Sequence, residues 1–407
     1  MFYYFLLVSA LYLGFFSLPY HGLITEIVFS PLIIYSFFSA KEFFKNLRGA
    51  KLFVISWTFF IIYYFILLLS AENLHSQLTP FVNVRGIYPF LFFYITIAVV
   101  NNKHKLKKLI KFVSLLTILA SFFAILQSIH GPEPIFDPAR FYNIGHWAGQ
   151  GGQMIGPIAR VMLPTIYLIY IVFVAFLVVI FLTKKTNYLL FLFILVIPIL
   201  ISFSRSNWFA ISVAVFVTFS ILRSQSMISK STLFVSLFSM LVLVGLILIF
   251  LSLDNPISTS LSERFISFFS DIKTSSGNYE VRIVNSAVYL ADWQARGFYF
   301  GIDPLYMERF DTFALSDVGF VHVLVTTGIV GLILFLLVWL SGIGFAIRTL
   351  RIGVKTNKIN LVIIGAILFA SIIYFIISQQ YIQGSYTSAL FSIICGLAIA
   401  SRKILND

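Results

Sequence analysis

The stretch LFVISWTFFIIYYFILLL, residues 52–69, carries no charged side chain over a length that crosses the hydrocarbon core of a bilayer as one helix. On either side of it, further apolar runs begin near residues 2, 22, 87, 109, 161, 188, 207, 232, 319, 360 and 386. Together they make about twelve spans by the window argument. The expected fold is an all-α, polytopic membrane bundle. Composition agrees: 60% hydrophobic and 11% charged residues, with a mean hydropathy of +0.99, exclude a water-soluble domain.

Basic residues are sorted by connection. Alternate connections hold Lys41, Lys45, Arg48 and Lys51; Lys103, Lys105, Lys107, Lys108 and Lys111; Lys184 and Lys185; Arg223 and Lys230; Arg348, Arg351, Lys355 and Lys358; and Arg402 with Lys403. The positive-inside rule makes this set cytoplasmic and puts both termini inside. The other set holds Arg85, Arg140, Arg160, Arg205, Arg264, Lys273, Arg282, Arg296 and Arg309, with most of the acidic residues. Arginine in place of lysine on the outer side points to an external anion site. The net charge of +13 lies mainly at the cytoplasmic face, where membrane lipids with anionic headgroups, not nucleic acid, are the expected partner. The first run lacks a basic n-region and an A-x-A-like site, so it reads as a retained span. The single cysteine, Cys395, falls in the last span as a small hydrophobe and permits no intrachain disulfide or cysteine metal site.

Three segments follow: 1–253 with the first nine spans, 254–318 as a large extracytoplasmic helical loop, and 319–407 with the last three spans. An earlier outer loop, His130 to about Arg160, is rich in Gly and Pro and reads as irregular. In 254–318 the spacing predicts two helices. One carries Leu261, Phe265, Phe268 and Phe269 and suits the membrane interface. In the other, from Glu280 to Gln294, Val281, Val284, Ala287, Val288 and Ala291 form an apolar stripe. Arg282, Asn285, Ser286, Tyr289, Asp292 and Trp293 fall opposite. Gly297 ends that helix, and Gly301, Asp303 and Pro304 predict a turn.

Arg205, in SFSRSNW, sits between two spans joined by almost nothing, at the outer surface. Either it snorkels to a headgroup or it holds a phosphate, which guanidinium binds bidentately at any working pH. His322, in SDVGFVHVLVTTGIVGLILFL, lies just inside a span. It is either a packing residue or a general base beside an arginine-bound substrate, since an ordinary histidine titrates near neutrality. Gly328 and Gly331 read as close helix packing without chemistry. Arg85, Arg140, Arg160, Arg264, Arg296 and Arg309 are weaker signals, explicable by surface ion pairs. No histidine spacing suggests zinc, and Gly149–Gly152 is no P-loop because no Gly-Lys-Ser/Thr follows.

From about Ser202 to Leu337 the chain resembles the O-antigen ligase and polymerase family of bacterial envelope enzymes. SRSNW with Arg205, Arg282 in YEVRIVNSAVYLADWQARGFYFGIDP, and His322 ahead of GIVGLILFL are similar to that family's motifs in order, spacing and membrane side. The chain departs from it at Ser286, where an aromatic is common, and at Val323, where Asn is common. The resemblance implies an enzyme of the bacterial cytoplasmic (inner) membrane. It would transfer a saccharide from a polyprenyl diphosphate-linked oligosaccharide to an acceptor hydroxyl at the outer face. Arg205 and Arg282 would stabilise the leaving diphosphate, with Arg140, Arg160, Arg85 and Arg264 as substrate contacts and His322 as base. No metal and no cofactor is expected, because guanidinium groups supply the charge. The implied partners include a chain-length regulator protein. Polymerase and ligase differ in acceptor, a second lipid-linked repeat unit or a lipid A core, and the residues lean to polymerase only for want of a core-binding feature. From another class, a lipid-linked saccharide flippase would bind near the midplane through broken helices.

Overall fold

A computed structural model describes the backbone of residues 1–13, 23–39, 47, 49–70, 84–131, 154–155, 158–159, 166–202, 204–225, 227, 277–302, 319–378 and 385–406. Within these, the side chains of 23–26, 84, 85, 154, 155, 158, 159, 186, 205, 206, 277–283, 285, 319, 385–387 and 406 fall outside the description. The elements in chain order are α1 (Phe2–Tyr12), α2 (Leu23–Phe38), α3 (Lys51–Ser70), α4 (Tyr88–Val99), α5 (Lys103–His130), β1 (Met154–Ile155), β2 (Ile158–Ala159), α6 (Ile166–Thr183), α7 (Leu189–Ile201), α8 (Arg205–Ser224), α9 (Gly277–Arg296), α10 (Gly319–Lys355), α11 (Ile359–Ser378) and α12 (Ser385–Asn406).

Seven of the described helices, α3, α5, α6, α8, α10, α11 and α12, are long and apolar enough to cross a membrane. The chain is a multi-pass membrane protein. On α3, Phe53, Trp57, Phe60 and Ile61 are buried, yet Leu52, Ile55, Phe59, Ile62 and Ile66 stand exposed, a surface that water does not tolerate and acyl chains do. α1, α2, α4 and α7 are apolar but shorter; the 12 residues of α4 reach about 18 Å at 1.5 Å per residue. The polar pair Asn101–Asn102 ends the α4 run early, and Asn102 caps α5 by accepting from the Lys105 amide. The apolar run near residue 232 and the helix predicted around Leu261 to Phe269 lie outside the described residues. Within the expected irregular loop, β1 and β2 pair antiparallel, Met154 opposite Ala159.

The first and last thirds of the chain interleave and do not form separate bodies. α12 packs on α4 and α1, α10 packs on α3, and α11 packs on α6, α8, α10 and α12. Of the apolar windows, 78% of α12 and 67% of α11 is buried against 33% of α5, so α11 and α12 are central and α5 peripheral. In lipid no hydrophobic force drives helices together, so close approach and shape carry the packing. A Cβ on Gly396 would stand 2.6 Å from the Phe93 carbonyl, and one on Gly365 2.7 Å from the Leu350 amide. Aromatic rings lock the centre: Trp57 stacks on Phe93 at 4.6 Å, and Phe391 touches Trp57, Trp339 and Phe375.

The bundle has two chemically distinct ends. At one, Lys358 Nζ donates to the Leu405 carbonyl (2.9 Å), Arg402 donates to the Gly49 carbonyl (3.3 Å), and Lys108 bonds the Tyr3 hydroxyl. At the other, about 24 Å along α11 from Lys358 at the same helical rise, Tyr374 meets the first turn of α8. The lysine connections expected to be cytoplasmic are thus brought together where the structure describes them. The lysines from 103 to 111 correct the expected loop: they occupy the first turns of α5.

Candidate functional site

Arg205 is the first residue of α8, and the turn before it is fixed by buried polar contacts. The Tyr170 hydroxyl donates to Ser202 Oγ (2.8 Å), and Ser202 donates to the Ile199 carbonyl (2.7 Å). Asn207 Nδ2 donates to Ser204 Oγ (2.7 Å), Trp208 Nε1 to the Ile199 carbonyl (2.7 Å), and the Tyr374 hydroxyl to Asn207 Oδ1 (2.9 Å). Ser202, Ser204 and Asn207 are all buried, where unmade hydrogen bonds are costly, so four helices, α6, α7, α8 and α11, hold one backbone geometry. A cation at a helix N-terminus opposes the macrodipole, so Arg205 does not serve its own helix. Its charge and the free amides of the first turn both attract an anion. Tyr374→Phe removes the donor to Asn207 Oδ1 and is expected to cost about 1–3 kcal/mol. A melting temperature in detergent equal to that of the unaltered protein would show that this network does not hold the turn.

The second feature corrects the reading of Gly328 as a packing glycine alone. Its φ of 70° and ψ of −174° interrupt α10, dividing it into a short half-helix from Gly319 and a long one to Lys355. In hydrocarbon every freed backbone group needs a partner, and several at this break find one. Thr326 and Thr327 hydroxyls donate to the carbonyls of His322 (2.7 Å) and Val323 (2.6 Å). The Ile302 amide donates to the Val325 carbonyl (2.8 Å), and the Tyr63 hydroxyl to the Thr327 carbonyl (2.6 Å). Across the break, the amides of Ile329 and Val330 donate to the carbonyls of Phe298 (3.1 Å) and Tyr299 (3.2 Å). The segment Phe298–Ile302 therefore plugs the break, and the expected turn at Gly301 is its inner edge. Asp303 and Pro304 lie outside the described residues.

α9 forms as expected, and the face opposite its apolar stripe is the one that turns inward. Val284 and Val288 of the apolar stripe are exposed, while Tyr289 and Trp293 are buried against Val325 of α10, with Leu290, Val321, Leu324 and Ile302 around them. Tyrosine and tryptophan bring the largest apolar area on that face together with a polar tip, which suits them to a protein-covered position. Trp293 also stacks on Phe298 at 5.0 Å, fastening α9 to the plug. Arg282 shares the register of Ser286, Tyr289 and Trp293, the face that packs on the His322 half-helix. His322 is 6% exposed, and its Nδ1 has no hydrogen-bond partner among the described residues. A satisfied packing histidine would not leave that nitrogen orphaned.

α11 packs on both α8 and α10, and its contacts to α10 include Gly342 against Ile372 and Gly365 against Leu350, in the long half-helix after the break. Arg296 pairs with Asp292 on α9, as expected of a surface arginine. Arg85 lies in the turn Val84–Ile87 before α4. Arg140, Arg160 and Arg264 lie outside the described residues. Sequence reasoning does not reach Tyr63, Tyr170, Asn207 and Tyr374, whose role depends on partners far away in the chain. The one local signal is the pair Thr326–Thr327 before Gly328, unusual inside an apolar run. No protein-family model matches this chain, and none of the curated proteins matches it.

Proposed function

We propose that this chain is a membrane glycosyltransferase that lengthens a surface polysaccharide, taking repeat units from a polyprenyl diphosphate carrier at the outer face of the bacterial cytoplasmic membrane. The observation that supports it is the Arg205 turn: a guanidinium-bearing position at a helix N-terminus, fixed by buried hydrogen bonds, at the end of the bundle opposite the lysines. In the reaction the acceptor hydroxyl oxygen forms a bond to the anomeric carbon and the bond from that carbon to the diphosphate oxygen breaks. The electron pair leaves with the diphosphate, where Arg205 and Arg282 meet the growing charge. The hydroxyl proton goes to His322. A single displacement inverts the anomeric centre.

The deciding experiment supplies defined lipid-linked repeat units to purified protein. Lengthening is the expected result; transfer only to a lipid A core would make the protein a ligase, and neither would refute glycosyl transfer. Because guanidinium groups carry the charge, transfer is expected to persist in excess chelator. Activity that vanishes with chelator and returns with magnesium would overturn the arginine mechanism.

The break at Gly328 favours a second reading, transport of a lipid-linked anion, since transporters bind through discontinuous helices. Against it, the Val325 and Thr327 carbonyls and the Ile329 and Val330 amides at this break bond to the protein itself through Phe298–Ile302 and Tyr63. Movement of a labelled lipid-linked saccharide across vesicles without lengthening would select transport.

A further inference from the structure

At the lysine end, a groove of about 670 Å³ opens between the start of α5, the α10–α11 turn and the end of α12. Its polar rim carries Lys103, Lys107 and Lys358, its floor is Ile110, Ile359 and Ile363, and no acidic side chain lines it among the described residues. Lys103, Lys107 and Ile110 follow at helical spacing on one face of α5, whereas Lys105 and Lys108 turn to Asn101 and Tyr3. Asn357, in the left-handed region at φ 57°, bends the chain sharply so that Lys358 reaches the groove and the Leu405 carbonyl together.

The placement is electrostatically costly for the protein alone. Lys103 and Lys107 sit in the first turns of α5 with no acidic residue there, against the helix dipole. By contrast Arg223, Lys355 and Lys403 stand in last turns, where a cation suits the helix. Ile110 and Ile359 are exposed at 51% and 40%, next to those charges. A ligand that satisfies both halves needs an anionic head and an apolar tail at membrane depth. A groove of this volume accommodates a headgroup with the first part of its chains.

We propose that this groove binds one anionic glycerophospholipid, its phosphate held by Lys103, Lys107 and Lys358 and its acyl chain lying on Ile110, Ile359 and Ile363. The site is remote from the Arg205 turn and independent of the transfer reaction, so activity is not its readout. It differs from general attraction of lysines to a charged surface in being saturable, stoichiometric and local.

The test titrates detergent-purified full-length protein with phosphatidylglycerol and with phosphatidylcholine of the same chains, counting bound lipid by native mass spectrometry. Phosphatidylglycerol is expected to saturate at one per chain and phosphatidylcholine to bind at least tenfold more weakly. A lysine near an anionic surface is worth about fivefold in affinity, so Lys103→Gln with Lys107→Gln is expected to weaken phosphatidylglycerol roughly 20- to 30-fold. That pair leaves the Lys358 contact to Leu405 intact. Ile110→Asp, at an exposed position of the floor, is expected to weaken binding comparably. Lys184→Gln with Lys185→Gln, at the same end but outside the groove, is expected to leave it unchanged. Equal binding of the two lipids, equal loss in the control pair, or displacement by millimolar inorganic phosphate would each overturn the proposal.

Discussion

Under the proposed function, Arg205→Ala is expected to abolish saccharide transfer while the protein remains folded in the membrane. Removing one preorganised donor to a growing anion costs about 10²- to 10³-fold in rate, and here the donor also carries the charge. Folding is expected to move the other way. A cation at the first helical position opposes the dipole of α8, so its removal stabilises the helix by a few tenths to about 1 kcal/mol. The hydrogen bonds among Tyr170, Ser202, Ser204, Asn207 and Tyr374 are made by other side chains, and they are expected to survive the change. Arg205→Lys keeps the charge but loses the planar fork, so it does not restore full activity. Arg282→Ala is expected to behave as Arg205→Ala does. The measurements are polymer length in cells lacking the native chain, membrane abundance and melting temperature. Normal polymer with any of these variants sinks the assignment; loss of polymer together with loss of protein assigns Arg205 to structure instead.

Gly328→Ala is expected to be the most destabilising single methyl in the described part of the chain. A Cβ there would stand 2.2 Å from the Tyr299 carbonyl and 2.4 Å from the Gly301 amide, both backbone atoms that no rotamer change can move. The conformation itself, φ 70° with ψ −174°, is essentially restricted to glycine and costs about 1–3 kcal/mol for other residues. Overpacking adds about 1–3 kcal/mol. Relief requires expelling Phe298–Ile302 from the break, which strips partners from the Val325 carbonyl and the Ile329 and Val330 amides. The control is Gly344→Ala on the same helix, where a Cβ meets nothing within 4 Å and alanine favours the helix by up to about 1 kcal/mol. Comparing the two by thermal melting in detergent decides the matter. If Gly328→Ala melts with Gly344→Ala, the plug does not hold the break.

Much of the architecture is legible in the residues alone. The run at 52–69 becomes α3, and the lysine connections gather at one end because each short loop can only turn back across the bundle. The SFSRSNW turn lies between two spans joined by almost nothing, as read, and α8 starts at Arg205. The helix from Glu280 to Gln294 forms where its spacing predicts. Its orientation is not legible, because one-sided amphipathicity says which face is apolar, not whether water or lipid lies outside it. Gly328 is equally opaque, because a glycine in an apolar run looks the same whether it packs closely or ends a helix.

Read alone, the residues establish a helical membrane protein, the separation of lysine from arginine along the chain, and three candidate residues, Arg205, Arg282 and His322. These depend on the bilayer as solvent, on helical rise and on charge, all of which act over a few turns and can be summed from local residues. The packed bundle was needed to settle which face of α9 turns inward, that α10 is two half-helices, and that Tyr374 and Tyr63 complete hydrogen bonds begun far away in the chain. A buried polar group must find a partner, and nothing local specifies a partner 167 or 264 residues away.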